Sequence, residues 1–283
     1  MKIEQVIKLS PVERFIYWVR ERENIRKLKE VGRPRPWTDD KILDTYRFCN
    51  VRRMDDKVSK WLLENWYKPY FNHPDMLQAV ALARFINLPH SLAHIKDAVF
   101  IHKTPNWSRV KDLLRMLKQQ GTIFNSAYMV RGNDGQDKIS SVVDYYVAGL
   151  RDVEIDPTNM EETHARISQC YGMGSFMAGQ IVADLRWAVE GTWEDKLTWA
   201  PIGPGSKRGM NRVQGRAVDT PIKQWIFVDE LRELVKTCKE ELPRSITSRL
   251  EAQDWQSCCC EVDKYNRVLF GEGKPKQLYR SST

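Results

Sequence analysis

Along this 283-residue chain, apolar positions recur mostly at three- and four-residue spacing, the period of a helix that buries one face. In VERFIYWVRERENIRKLKEV (12–31), Phe15, Ile16, Val19, Ile25 and Leu28 carry that spacing with charge between them. The run Gly32-Arg33-Pro34-Arg35-Pro36-Trp37 ends the helix, and Thr38-Asp39-Asp40 supplies an N-cap for a second one over 39–48. The same reasoning predicts helices over 55–66, 76–86, 89–93, 107–119, 138–149, 159–170, 174–190, 221–242 and 245–264. Residues 122–130 fit a strand or a helix lead-in, 131–138 (RGNDGQDK) a turn, and 191–220 a long polar loop rich in Gly and Pro. The expected class is all-α, in one helical domain over 1–283 with room for two lobes and a site between them, closed by a basic arm over 270–283.

Composition narrows the classes. Hydrophobic residues make up 42% and charged residues 29%, enough to build a core and too apolar for disorder. Lys and Arg exceed Asp and Glu by 45 to 37, and the pI of about 9.1 favours an anionic partner. No apolar run reaches the roughly 18 residues of a membrane span, and the N-terminus lacks a signal-peptide core, so the reading is a soluble intracellular protein. Cys258, Cys259 and Cys260 are adjacent, which suits neither a disulfide framework nor one metal ion, so they read as core filler and no metal site is expected. The five histidines are scattered and read as structural.

Four blocks carry candidate chemistry. Cys170-Tyr171-Gly172-Met173-Gly174-Ser175 is a G-x-G turn between two helices, and the free N–H groups of Gly172, Gly174 and Ser175 suit a phosphate; it resembles the helix–hairpin–helix element of DNA repair glycosylases, whose turn grips a DNA backbone phosphate. An ordinary tight helix corner would also need those glycines. In the following helix Gln180 and Asp184 share a face at i, i+4, an odd place for a carboxylate in a DNA-binding helix unless it does chemistry. The run Gly203-Pro204-Gly205-Ser206-Lys207-Arg208-Gly209-Met210-Asn211-Arg212 reads as a loop dense in phosphate donors, although it is not a Walker A motif. Asn50, Arg52 and Arg53 stand beside Asp55 and Asp56, and Glu261 and Lys264 stand at i, i+3.

Together these blocks, with the tail CCEVDKYNRVLFGEGKPKQLY, resemble the phage α-glutamyl/putrescinyl thymine pyrophosphorylases, which are amino acid:DNA transferases. That family is similar in fold to helix–hairpin–helix DNA glycosylases and to the helical domain found with 5-hydroxymethyluracil DNA kinases. The resemblance implies that an amine nitrogen from an amino acid or polyamine displaces pyrophosphate from the 5-methylene of a modified uracil in double-stranded DNA. A 5-hydroxymethyluracil DNA kinase would supply that substrate, in the cytoplasm of a phage-infected bacterium. No cofactor is implied; Mg²⁺ is compatible with the leaving group.

Chemistry then suggests roles. Arg52, Arg53, Ser206, Lys207, Arg208 and Lys264 would hold pyrophosphate. Asp184 is the first choice for the base that deprotonates the amine, Glu261 the second, with Gln180 beside Asp184. Asn50, Gln180 and Asn211 would read the uracil edge or the amino acid, and Tyr145, Tyr146 or Tyr265 would stack on a flipped base. A glycosylase acting on a modified base and a non-catalytic DNA-binding module are the alternatives.

Overall fold

A computed structural model describes the chain except residues 103, 126–131, 133–134, 276–277 and 280–283. The described residues form helices and no strand; a single antiparallel bridge joins Tyr46 to Leu278. The all-α expectation therefore holds. The chain divides into two compact units, one of Met1–Asp56 with Lys196–Thr283 and one of Lys57–Asp195.

The first unit begins with α1 (Ile3–Ile7), α2 (Pro11–Glu30) and α3 (Lys41–Thr45). Ser10 caps α2 by accepting the Glu13 N–H, with Pro11 at the first helical position. Helix α3 is shorter than the 39–48 expected, because Tyr46 turns extended (φ −99, ψ 145) and the chain runs on as an irregular strap to Asp56.

The second unit holds α4 (Lys57–Leu62), α5 (Met76–Ile86), α6 (Pro89–Phe100), α7 (Trp107–Gln120), α8 (Lys138–Ser140), α9 (Met160–Ser168) and α10 (Gly174–Leu185). Two π-helical segments, Leu63–Tyr67 and Ser141–Val147, continue α4 and α8. Every residue of α5 is buried, including Gln78 and Arg84, so α5 is the spine of this unit. Helix α6 runs a full turn and more past the expected 93, whereas α10 stops at Leu185 rather than 190. The 122–130 segment falls largely outside the described residues.

The chain then returns to the first unit with α11 (Pro204–Val213), α12 (Gln224–Glu241), α13 (Arg244–Thr247) and α14 (Ala252–Leu269). Phe15, Trp18, Phe227, Trp255 and Tyr265 are the largest fully buried side chains of its core. Cys258 and Cys259 fill that core. The expected 245–264 helix is split into α13 and α14, with Glu251 and Asp254 forming a capping pair at the break.

The run 203–212 is the main departure from expectation. It is a helix, not a loop. Gly203 is extended (φ −116, ψ 165), Pro204 takes the first helical position, and Ser206 Oγ accepts the Gly203 N–H at 2.9 Å. Gly205 and Gly209 are there for packing against α14. A Cβ at Gly209 would collide with the Cys259 carbonyl, and one at Gly205 with Cys260 Sγ. Proline and glycine, usual loop signals, here start a helix and let it lie close on its neighbour.

Candidate active site

The strap 46–56 is fixed from below by Arg22, which is buried on α2. Its guanidinium donates to the carbonyls of Cys49 (3.0 Å) and Phe48 (3.2 Å) and to Asn50 Oδ1 (2.6 Å). Asn50 in turn donates its backbone N–H to Asp56 Oδ1 (3.0 Å) and its amide to the Asp55 carbonyl (2.8 Å). Asp55 is braced by Arg249 at 3.1 Å, Arg26 at 3.5 Å and Arg52 at 3.7 Å. The Cys49 N–H donates to Glu261 Oε2 at 3.0 Å, and the same oxygen meets Lys264 Nζ at 2.7 Å. The Arg53 N–H is held by Asp254 at 2.8 Å. Backbone and α14 carboxylates thus lock the strap over one face of α14.

That face is a reachable recess. Cys49 is exposed, and Asp56, Cys260 and Lys264 are half-buried, yet the same groups are strongly desolvated. Burial pushes the Asp56 carboxyl up to about 6, with the Glu261 charge adding; the Asn50 N–H, Arg22 and Arg53 pull the other way. The Cys49 thiol is held well above its ordinary value, first by the Glu261 charge and then by desolvation. Desolvation works against a charged Lys264, but Glu261 outweighs it and the ammonium is stabilised. Burial lifts Cys260 to about 12. At neutral pH the recess therefore holds the Lys264–Glu261 ion pair, two neutral thiols and the Asp56 carboxyl poised near 6.

The first turn of α11 borders this recess, since Gly205 abuts Cys260. Within that turn the Gly205 N–H has no helical acceptor, and the helix dipole adds partial positive charge. Lys207 follows on α11, half-buried, with no side-chain partner among the described residues.

Glu261, Lys264, Asn50 and the backbone of Arg53 are thus brought together as the sequence suggested, whereas among the described residues no contact joins Lys207 to them. The remaining candidates in this unit need correction. Ser206 and Asn211 are completely buried: Ser206 binds Gly203 and Gln256 (2.9 Å), and Asn211 donates to the Val218 and Thr220 carbonyls, so neither presents donors to a ligand. Arg208 is committed to Asp219 (2.8 Å) and Asp263 (3.2 Å), and Arg52 to Asp55. Tyr265 cannot stack on a base, because its ring is sealed in the core with its hydroxyl on Asp40 at 2.6 Å. Arg22 and Asp56 carry the recess but were not singled out as site residues. Asp56 was visible as the second acid of the block; Arg22 gave no signal, lying inside a helical run.

In the second unit, α9 and α10 form a helical hairpin whose turn needs left-handed glycines at 172 (φ +75) and 174 (φ +44). A Cβ at Gly172 would run into the Tyr146 ring. Tyr146 is itself largely buried, stacked on Phe85 with centroids 5.4 Å apart, so of the two adjacent tyrosines only Tyr145 is open to solvent. Ser175 is exposed at the turn, flanked by exposed Tyr171 and Phe176, aromatics that the sequence reading passed over. Asp184 is completely buried; it accepts from Arg84 and from the Tyr67 hydroxyl. A sealed carboxylate neutralised by a guanidinium is a poor proton acceptor for an incoming amine, which corrects its first-choice assignment. Gln180 lies buried one turn earlier. Among the described residues no group of three or more His, Cys, Asp and Glu is placed to hold a metal ion, and no helix is long and apolar enough to cross a membrane.

A family model described as "5-hmdU DNA kinase, helical domain" matches residues 10–275 of this chain. The 5-hmdU DNA kinase of Bacillus phage SP10 is 26% identical over 278 residues, 87% of this chain. The chain spans 43% of the length of that relative. No solved structure matches.

Proposed function

The chain belongs to the family of the 5-hmdU DNA kinase helical domain, and from that premise we propose that it modifies thymine-derived bases in phage DNA as an amino acid:DNA transferase. The substrate would be duplex DNA carrying pyrophosphorylated 5-hydroxymethyluracil, made by a 5-hydroxymethyluracil DNA kinase in the infected bacterium. The co-substrate would be the amine of a free amino acid or polyamine. The observation that carries this reading is the recess of the first unit, where a carboxyl poised near 6 lies beside a cradle for an anion.

In this reading the amine nitrogen attacks the 5-methylene. A C–N bond forms, the C–O bond to pyrophosphate breaks, and its electron pair leaves with the pyrophosphate. Asp56 accepts the proton that the nitrogen sheds. Lys264 and the Gly205 N–H at the start of α11 meet the charge that develops on the leaving group. Glu261 orients Lys264 and the strap at once, a positioning role. Asn50 fixes Asp56, and Mg²⁺ would enter only with the pyrophosphate. The target base would be extruded from the duplex to reach the recess, and the α9–α10 hairpin would grip a backbone phosphate through Gly174 and Ser175.

The test incubates duplex DNA bearing 5-pyrophosphoryloxymethyluracil with the protein and a mixture of amino acids and polyamines, then digests the DNA for mass spectrometry. The expected result is an amine-linked nucleoside with stoichiometric pyrophosphate. A lost base would assign a glycosylase. Unchanged nucleosides with retained DNA binding would assign a non-catalytic module.

A further inference from the structure

The recess has a closed end that the chemistry above does not use. On α14 the strap and α11 take opposite sides. Asp254 and Glu261 hold the backbone of Arg53 and Cys49, while Gln256 and Asp263 meet Ser206 and Arg208 of α11. Between those sides, at i, i+4, i+7 and i+11, Gln253, Ser257, Cys260 and Lys264 form one stripe along the helix. Ser257, Cys260 and Lys264 are half-buried and Gln253 is buried, so the stripe deepens toward the start of α14. The Ser257 hydroxyl has no partner among the described residues.

The Gln253 carboxamide is held in one orientation. Its Nε2 donates to Gln256 Oε1 at 3.0 Å, and Gln256 Nε2 donates to Ser206 Oγ at 2.9 Å. Ser206 spends its own hydrogen on the Gly203 carbonyl at 3.1 Å, so toward Gln256 it only accepts. The relay leaves Gln253 Oε1 as a fixed acceptor. That oxygen is buried and accepts no hydrogen bond among the described residues. An acceptor sealed without a donor is costly to keep, and a neutral N–H is the group that relieves it.

We propose that this closed end reads the Watson–Crick edge of the extruded uracil: Gln253 Oε1 accepts the N3–H, and the Ser257 hydroxyl donates to a flanking carbonyl oxygen. An imide N–H between two carbonyls is the pattern that an acceptor beside a donor complements. Cytosine presents a bare N3 lone pair at the same place and leaves acceptor facing acceptor. The length of the stripe fits as well. From Gln253 to Lys264 the helix rises about 16 Å, which a uracil with an extended pyrophosphoryloxymethyl arm and a hydrogen bond at each end spans. The oxygen is covered in the free protein, so the base edge takes the place of that cover on docking. The assignment rests on the reading of the recess as the transferase site.

The test compares kcat/KM for pyrophosphate release, at several amine concentrations, from duplexes whose 5-pyrophosphoryloxymethyluracil carries hydrogen or methyl at N3. The wild type should prefer the N3–H duplex. Gln253→Met, close in size but without the acceptor, should lose roughly 10- to 100-fold on the N3–H duplex and far less on the N3-methyl duplex, so that the preference collapses. Ser257→Ala should lose less, on both duplexes alike. The preference is a ratio within one preparation, so a smaller folded fraction does not alter it. Should Gln253→Met fail to fold, Gln253→Asn, which draws the amide back by one methylene, should lower the preference in the same direction. An unaffected Gln253→Met, equal losses on the two duplexes, or a raised amine KM with the preference intact would each overturn the base-reading role while leaving the transferase standing. A wild type that releases no pyrophosphate from either duplex would overturn both.

Discussion

Asp184 and Asp56 are both acids that the fold desolvates, one in each unit, and their surroundings differ in what they allow. Asp184 is sealed on α10 against Arg84 of the fully buried α5, with the Tyr67 hydroxyl as a further donor. Its charge is matched inside the protein and has no route to a substrate. Asp56 sits on an irregular strap at a recess open to solvent, held by one backbone N–H and pushed up to about 6. Burial alone makes a structural ion pair. Burial with access makes a group that can exchange a proton near neutral pH.

Arg84→Met should leave Asp184 buried without its cation and cost about 3–5 kcal/mol in urea unfolding. A cost within ordinary surface scatter would mean that Asp184 is not the anchor described. Next in size is Gly209→Ala on α11, where the Cys259 carbonyl is backbone and cannot swing aside; overpacking of this kind costs about 1–3 kcal/mol. Gly205→Ala should cost less, since the Cys260 side chain can move. Tyr265→Phe removes one donor from Asp40, which keeps the Tyr17 hydroxyl at 2.9 Å, and should cost about 1 kcal/mol without changing base binding. A specific loss of DNA affinity with unchanged stability would instead restore Tyr265 as a stacking residue.

The remaining effect is a pH signature. The Asp56 carboxyl is raised in the folded protein, so folding favours its protonated form. Its stabilising share is present at low pH and is lost as pH rises from about 4 through about 6. Asp56→Asn should therefore gain stability relative to the wild type across that window, read as the difference in melting temperature at pH 4 and pH 8. A difference independent of pH would contradict the raised value.

Much of this was legible in the sequence. The helical period located nearly all the main helices, because amphipathic faces repeat whatever their partners are. The strap and the α14 acid–base pair were also visible, since Asn50, Glu261 and Lys264 are chemistry-bearing residues in compact blocks. Two things were not. Gly203 to Arg212 reads as a loop because glycine and proline break helices in isolation; only the close approach of α14 shows that Gly205 and Gly209 are contacts and Pro204 a start. The environment of an acid is likewise set by residues far away in sequence, Arg84 for Asp184 and Arg22 and Glu261 for Asp56. Spacing along one helix carries no trace of such partners, so the sealed acid was ranked above the reachable one.

Whether Asp56 in the first-unit recess is the proton acceptor is read from the pH dependence of pyrophosphate release from duplex DNA bearing 5-pyrophosphoryloxymethyluracil. With saturating amine, the wild type should lose activity below about pH 6, and Asp56→Asn should be slower by roughly 10²–10⁴-fold at pH 7 with that acid limb gone. An Asp56→Asn variant that keeps both the wild-type rate and the acid limb would contradict the assignment and return the search to another carboxylate.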